Sequence, residues 1–158
     1  LSTLSNESVH VAELADATFD GSVEGEIWMI KFYAPWCGHC KQYAPVFQKT
    51  AKITKQFNGY INFGEIDCDK NRLTCSEYHV TGYPTTLLLF NGKLIGNYRE
   101  SRDSAIKIKT WIINQLNPTH LRDADILEDD EIQMIINIKQ NWNHQNGNND
   151  NKNKNKSK

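Results

Sequence analysis

The chain has little of what would commit it to a membrane or to a polyanion. Its longest purely apolar run is "LLLF" at 87–90, and "IWMI" at 27–30 is cut off by Lys31. No stretch approaches the ~20 apolar residues that a bilayer-spanning helix requires. Neither sign of charge dominates: 18 lysines and arginines stand against 19 aspartates and glutamates, a net charge of -1. That balance gives no general pull toward nucleic acid or anionic lipid. The chain opens at Leu1 with neither a methionine nor a charged-then-apolar leader, which suggests that a signal segment or flanking region has been removed. Cysteine is scarce but even in number, Cys37 with Cys40 and Cys68 with Cys75. An even count is compatible with an oxidising compartment without proving one. At 158 residues and 39% hydrophobic, the chain has material for one core but not two, so a single domain with additions at its ends is expected.

What the sequence does have is periodicity. "SVHVAEL" at 8–14 reads as a short strand and "ADATFD" at 15–20 as a short helix ended by Gly21. "EIWMIKFYA" at 26–34 is apolar on both faces except at Lys31, the pattern of a central strand covered on both sides. From Cys40 to Phe57, residues Tyr43, Phe47, Ala51 and Phe57 recur near helical spacing with lysines between them, an amphipathic helix. Pro45 should kink it by removing a backbone donor. A strand at 60–67, a helix near 70–79, a strand at 85–90, an Asn-Gly turn at 91–92 and a strand at 93–98 follow, the last two forming a hairpin. A helix over 103–116 aligns Ala105, Ile108, Ile112 and Leu116. The order β-α-β-α-β-α-β-β-α implies an α/β domain, 1–117, with a parallel crossover, an antiparallel hairpin, a mixed central sheet and helices on both faces. Beyond Pro118, residues 118–142 read as a helical extension with Leu127, Met134, Ile135, Ile138 and Trp142 on one stripe. The Asn/Lys-rich tail, 143–158, has no apolar surface to offset ordering entropy and is expected to be disordered.

The chemistry concentrates in "FYAPWCGHCK" at 32–41. Cys37, Gly38, His39 and Cys40 lie where the central strand hands over to the long helix, so unpaired helix N–H groups point at the first sulfur and stabilise its thiolate. Cys37 is then the attacking sulfur, and Cys40, one turn inward, resolves the mixed disulfide. His39 adds positive character beside the thiolate, which favours the dithiol and makes the disulfide a stronger oxidant. Two plainer interpretations compete. A C-x-x-C pair is also half of a zinc site, but the six residues between Cys68 and Cys75, on another element, are a poor second half. A purely structural staple is the other.

Together with "TGYPT" at 81–85, this motif resembles the catalytic thioredoxin-fold domain of the protein disulfide isomerases, over roughly residues 8–117. The resemblance implies a thioredoxin fold and a cis bond at Tyr83–Pro84 opposite the cysteines, with Trp36, Tyr83 and Pro84 facing an extended client. It implies that Arg102, in "YRESRDS", swings toward the buried cysteine; a solvated surface arginine is the alternative, as an ordinary turn proline is for Pro84. Some domains of the family carry a second disulfide where Cys68 and Cys75 stand, although free thiols there remain open. No metal or prosthetic group is implied, only the redox-active pair, with glutathione or a thiol oxidase as redox partner. The expected partners are cysteine-containing proteins of the secretory pathway, met by a monomer in the endoplasmic reticulum lumen or a related compartment. One departure stands out. The family usually has a carboxylate six residues before the first cysteine and a lysine on the next strand, whereas here Lys31 and Glu65 occupy those places. The two are expected to pair with reversed polarity, Glu65 relaying the proton of Cys40, unless Lys31 merely reaches solvent. A thioredoxin-like reductase and a client-binding escort with little redox activity are the competing functions.

Overall fold

The structure, a computed structural model, describes the backbone of residues 10–57 and 59–154 and the side chains of 10–56 and 59–141. The expected strand residues 8 and 9, the side chains of Phe57 and Trp142, and positions 155–158 lie outside that range. The chain divides into two compact units, Leu1–Asn114 and Gln115–Lys158.

The first unit runs β1 Ala12–Leu14, α1 Phe19–Val23, β2 Ile27–Tyr33, α2 Gly38–Phe57, β3 Ile61–Asp67, α3 Arg72–Glu77, β4 Thr85–Phe90, β5 Lys93–Tyr98 and most of α4 Ala105–Gln115. Its five strands lie in the order β1-β3-β2-β4-β5. β3 pairs in parallel with β1 and β2, while β4 pairs antiparallel with β2 and β5. β2 is therefore central and buried from Ile27 to Phe32.

Strand alternation assigns the two faces of the sheet. Trp28, Ile30 and Phe32 join Phe19 and Val23 of α1 and Cys75 of α3 in one core cluster. Lys31, on the opposite face, meets Phe47 of α2, which also packs edge-on against Phe63 of β3. Helices thus cover both faces, as the two-sided apolar pattern of β2 requires. The β4–β5 hairpin closes through Asn91 and Gly92, both at positive φ (51° and 72°), the conformation that a two-residue turn demands and that this dipeptide adopts readily. Gly64 serves close packing instead, because a Cβ there would lie 2.8 Å from Leu14 Cδ1 and 3.0 Å from Trp28 Cζ3.

Some element boundaries differ from the sequence expectation. Helix α1 passes through Gly21 and ends at Val23; the positive-φ residue is Gly25 (φ 67°), so the break comes where the chain needs a left-handed residue rather than at the first glycine. Helix α2 begins at Gly38, two residues earlier than the apolar stripe indicates, and contains Pro45. In the second unit, α5 Pro118–Asp123 is an element that Pro118 conceals when read as a boundary. Asn117 caps it by accepting from the N–H groups of Thr119 and His120, and Pro118 occupies the first turn, where a missing N–H costs nothing. Helix α6 runs Asp129–Lys154, past Trp142 into the segment expected to be disordered. Once nucleated, a helix gains a hydrogen bond for each residue added, and an absence of apolar side chains does not prevent that. Among the described residues, Glu131, Ile132 and Ile135 are the buried positions of α6, whereas Met134 is exposed. Of the expected stripe, Leu127 and Ile135 are buried and Ile138 is half-buried.

Candidate active site

Cys37 follows a turn from β2 and immediately precedes the first residue of α2. The backbone makes this junction tight: the Cys37 N–H donates to the Ala34 carbonyl at 3.1 Å, and the Lys41 N–H donates to the Cys37 carbonyl at 3.2 Å. The sulfur consequently sits at the mouth of the helix, where the Cys40 N–H donates to it at 3.3 Å. Both cysteines are nearly covered, Cys37 being 7% exposed and Cys40 4%. Their environments differ nonetheless. Hydrogen bonding from the Cys40 side chain, then the N–H groups of Cys40 and His39 and the nearby Arg102 charge, hold the Cys37 thiol below its ordinary range against some desolvation. Burial first, then the hydrogen bond to Cys37, push the Cys40 thiol up to about 11, with Lys31 opposing the rise. The two thiols are driven in opposite directions, Cys37 toward the thiolate and Cys40 toward the thiol.

Opposite the pair, the Tyr83–Pro84 peptide bond is cis. The Cys37 thiol donates to the Tyr83 carbonyl at 3.6 Å, which brings the loop before β4 against the start of α2. Trp36 is 68% exposed and meets the Tyr83 ring edge-on at 6.0 Å. Arg102 donates to the Pro84 carbonyl at 3.4 Å and lies 5.9 Å from the Tyr43 ring. It borders two cavities: one of about 480 Å³ reaching along Tyr83, Pro84 and Asn97, and one of about 450 Å³ lined by His39, Gln42 and Tyr43. The structure therefore brings together Trp36, Cys37, Gly38, His39, Cys40, Tyr83, Pro84 and Arg102. His39 acts on the Cys37 sulfur through its backbone N–H, and Arg102 supplies the cation.

Lys31 and Glu65 meet as expected, Nζ to Oε2 at 3.1 Å, because the parallel register sets them side by side on β2 and β3. Lys31 does not reach solvent; it is 3% exposed. Cys68 and Cys75 form a disulfide with Cα atoms 5.8 Å apart, joining the end of β3 to α3 within the core cluster on the other face. Among the described residues, no three histidine, cysteine or carboxylate side chains are grouped to hold a metal ion. Sequence reading missed the environment of these charges. Tyr33, Tyr43 and Phe47 present their rings to Lys31 at 5.4, 6.0 and 5.3 Å, and Thr86 donates to the Tyr43 hydroxyl at 3.2 Å. The i, i+2 spacing of Lys31 with Tyr33 was the available signal for the first of these.

A strand-to-helix C-x-x-C at the centre of a mixed sheet, facing a cis-proline loop, defines a thioredoxin-fold redox site. The thioredoxin family model matches residues 10–114, and the chain belongs to that family. Within the family it is similar to the protein disulfide isomerases. It is 37% identical over 109 residues to "Probable protein disulfide-isomerase ER-60" of Schistosoma mansoni, covering 68% of this chain and 22% of that protein. It is 34% identical over 114 residues to "Protein disulfide-isomerase 1" of Caenorhabditis elegans, covering 72% and 23% respectively. The first thioredoxin domain of mouse protein disulfide-isomerase A4 superposes with a TM-score of 0.61 at 34% identity, over 68% of this chain and 76% of that domain. Human ERp44 shares the fold, with a TM-score of 0.64 at 24% identity over 72% of this chain and 31% of that one. The chain spans about a fifth of the length of these curated relatives.

Proposed function

We propose that the chain is a thiol–disulfide oxidoreductase domain that forms and rearranges disulfides in client proteins. The observation that carries this reading is the placing of the pair: the Cys37 sulfur sits at the mouth of α2, accepting the Cys40 N–H at 3.3 Å, and faces the cis Tyr83–Pro84 loop at 3.6 Å, with Cys40 buried behind it. In oxidation, a client thiolate attacks Cys37 of the Cys37–Cys40 disulfide and Cys40 leaves as a thiolate. A second client thiolate then attacks the client sulfur of the mixed disulfide, and Cys37 departs. A low-pKa thiol is the better leaving group, so the stabilised Cys37 thiolate favours transfer to the client. In rearrangement, reduced Cys37 attacks a client disulfide and Cys40 releases it. The exposed Trp36 and the Tyr83–Pro84 loop form the surface for an extended client, and Arg102 holds charge near the sulfurs. Glutathione or a thiol oxidase restores the pair, with no further cofactor. The Cys68–Cys75 disulfide supports a location in the endoplasmic reticulum lumen or another oxidising secretory compartment, where such bonds persist.

Equilibration with glutathione buffers tests the reading. The expected midpoint is roughly −180 mV, as for an isomerase, and not roughly −270 mV, as for thioredoxin. A value near the latter would favour the reductase, and an inert pair would favour the escort.

A further inference from the structure

Lys31 is the one charged side chain on the buried central strand, six positions before Cys37. A lysine usually carries its ammonium past its apolar stem into water, but this side chain is only 4% exposed while that of its partner Glu65 is 26% exposed. Burying a cation costs several kcal/mol of hydration. A partner that still touches water is a weak reason to hold the ammonium on the inner side of the pair. The surroundings point to another reason. The ring of Tyr33, 5.4 Å from Lys31 Nζ, packs against the cluster formed by Ala34, Cys37 and Cys40. Tyr43, one helical turn after Cys40, lies 6.0 Å from the same nitrogen. The ammonium thus lies between Tyr33, which packs against the cysteine pair, and Tyr43, one turn along α2 from Cys40. The charged and titratable groups around the pair include Lys31 and Tyr33 from β2, Tyr43 from α2, Glu65 and the buried Asp67 from β3, Glu13 from β1, Tyr98 from β5, and Arg102 from the loop before α4.

We propose that Lys31 is a positioning residue for the resolving step: its buried ammonium stabilises the Cys40 thiolate through space, and Glu65 holds the ammonium in place without accepting the Cys40 proton. The inference rests on the dithiol reading above. Cys40 releases its proton to solvent, and its thiolate attacks Cys37 in the mixed disulfide. The Cys37–Cys40 bond forms as the bond to the client sulfur breaks, and the departing thiolate takes a proton from solvent. Lys31 keeps its proton throughout.

The test mixes reduced full chain with oxidised glutathione, quenches with acid and follows the glutathione adduct by mass. Formation of the adduct reports attack by Cys37, and its decay to the internal disulfide reports Cys40. Lys31→Met is expected to leave formation within about twofold while slowing decay about tenfold at neutral pH, and to move the pH midpoint of decay up by about one unit, since a unit of thiol pKa is a tenfold change in thiolate. The double variant Lys31→Met with Glu65→Gln should decay at least as fast as Lys31→Met, because Glu65 has no task once the ammonium is gone. Adduct formation at the parental rate shows that each variant retains the folded site, and the double variant also covers the case in which Glu65 left alone prevents folding. Decay of Lys31→Met at the parental rate and pH midpoint would overturn the proposal. So would a further tenfold loss in the double variant, which would identify Glu65 as the proton acceptor. Failure of the parent to form any adduct would instead overturn the oxidoreductase reading itself.

Discussion

Two sulfurs three residues apart in one turn of chain behave as different chemical groups because their surroundings differ. Cys37 sits where helix N–H groups converge, and its thiolate is favoured; Cys40 is buried one turn inward, and its thiol is favoured. In the reduced protein, alkylation by iodoacetamide at pH 7 should therefore modify Cys37 at least about tenfold faster than Cys40, since the thiolate is the nucleophile. The pH midpoint of the rate at Cys37 should lie below that of an ordinary thiol, while Cys40 should keep gaining toward about 11. Peptide mapping of the labelled chain reads both sites. The same asymmetry predicts that Cys40→Ser accumulates client mixed disulfides on Cys37, visible as reducible high-mass adducts.

At the scale of elements, the short helix α3 depends on a residue far away in sequence. Asp16 accepts from the Thr74 N–H at 2.9 Å, the Thr74 hydroxyl at 2.7 Å and the Leu73 N–H at 3.4 Å. A carboxylate at a helix N-terminus satisfies donors that the helix cannot. Those hydrogen bonds, led by the Thr74 hydroxyl, hold the Asp16 carboxyl below its usual value. A folded-state pKa below the unfolded one means stability that is present above the unfolded value, about 3.9, and is lost as pH falls through the folded one. Asp16→Asn should accordingly lower the urea midpoint at pH 7, and the gap to the parent should close as the pH is taken below the folded-state pKa. The Cys68–Cys75 disulfide anchors the other end of this segment. Closing so short a loop contributes about 2–3 kcal/mol by restricting the unfolded chain, and its place in the core cluster keeps it apart from the catalytic pair.

For the whole molecule, redox state and stability are linked. A fold that stabilises the Cys37 thiolate stabilises the reduced form relative to the disulfide, so reduction and folding drive each other around one thermodynamic cycle. The protein with Cys37 and Cys40 reduced and Cys68–Cys75 intact should melt above the fully oxidised protein at pH 7, as scanning calorimetry in matched buffers would show. Equal melting temperatures would mean a pair with no oxidising bias. The second unit has its own buried residues, Leu116, Leu121, Leu127, Ile132 and Ile135, and Lys139 donates to the Leu116 carbonyl at 2.8 Å within it. Among the described residues, no helix of either unit is long and apolar enough to cross a membrane.

Local periodicity was enough to read the strand and helix order up to α4, the Asn91–Gly92 hairpin and the placing of Cys37 at a strand-to-helix junction, but not the separate helix α5. Side-chain alternation, turn chemistry and helix N-termini are all decided within a few residues. The cis bond at Tyr83–Pro84 and the Cys68–Cys75 pairing came from resemblance, not from spacing. Only the tertiary structure decided what meets across the chain. The Tyr83 carbonyl reaches Cys37 from 46 residues away, and Asp16 caps a helix 58 residues on. The buried direction of Lys31 is of the same kind. A strand pattern tells which face a lysine is on, but not whether its ammonium finds solvent. That depends on the one-to-one register of β2 with β3, which supplies Glu65, and on α2 closing over it with Tyr43 and Phe47. Register and helix docking are long-range choices, and no window of sequence contains both partners.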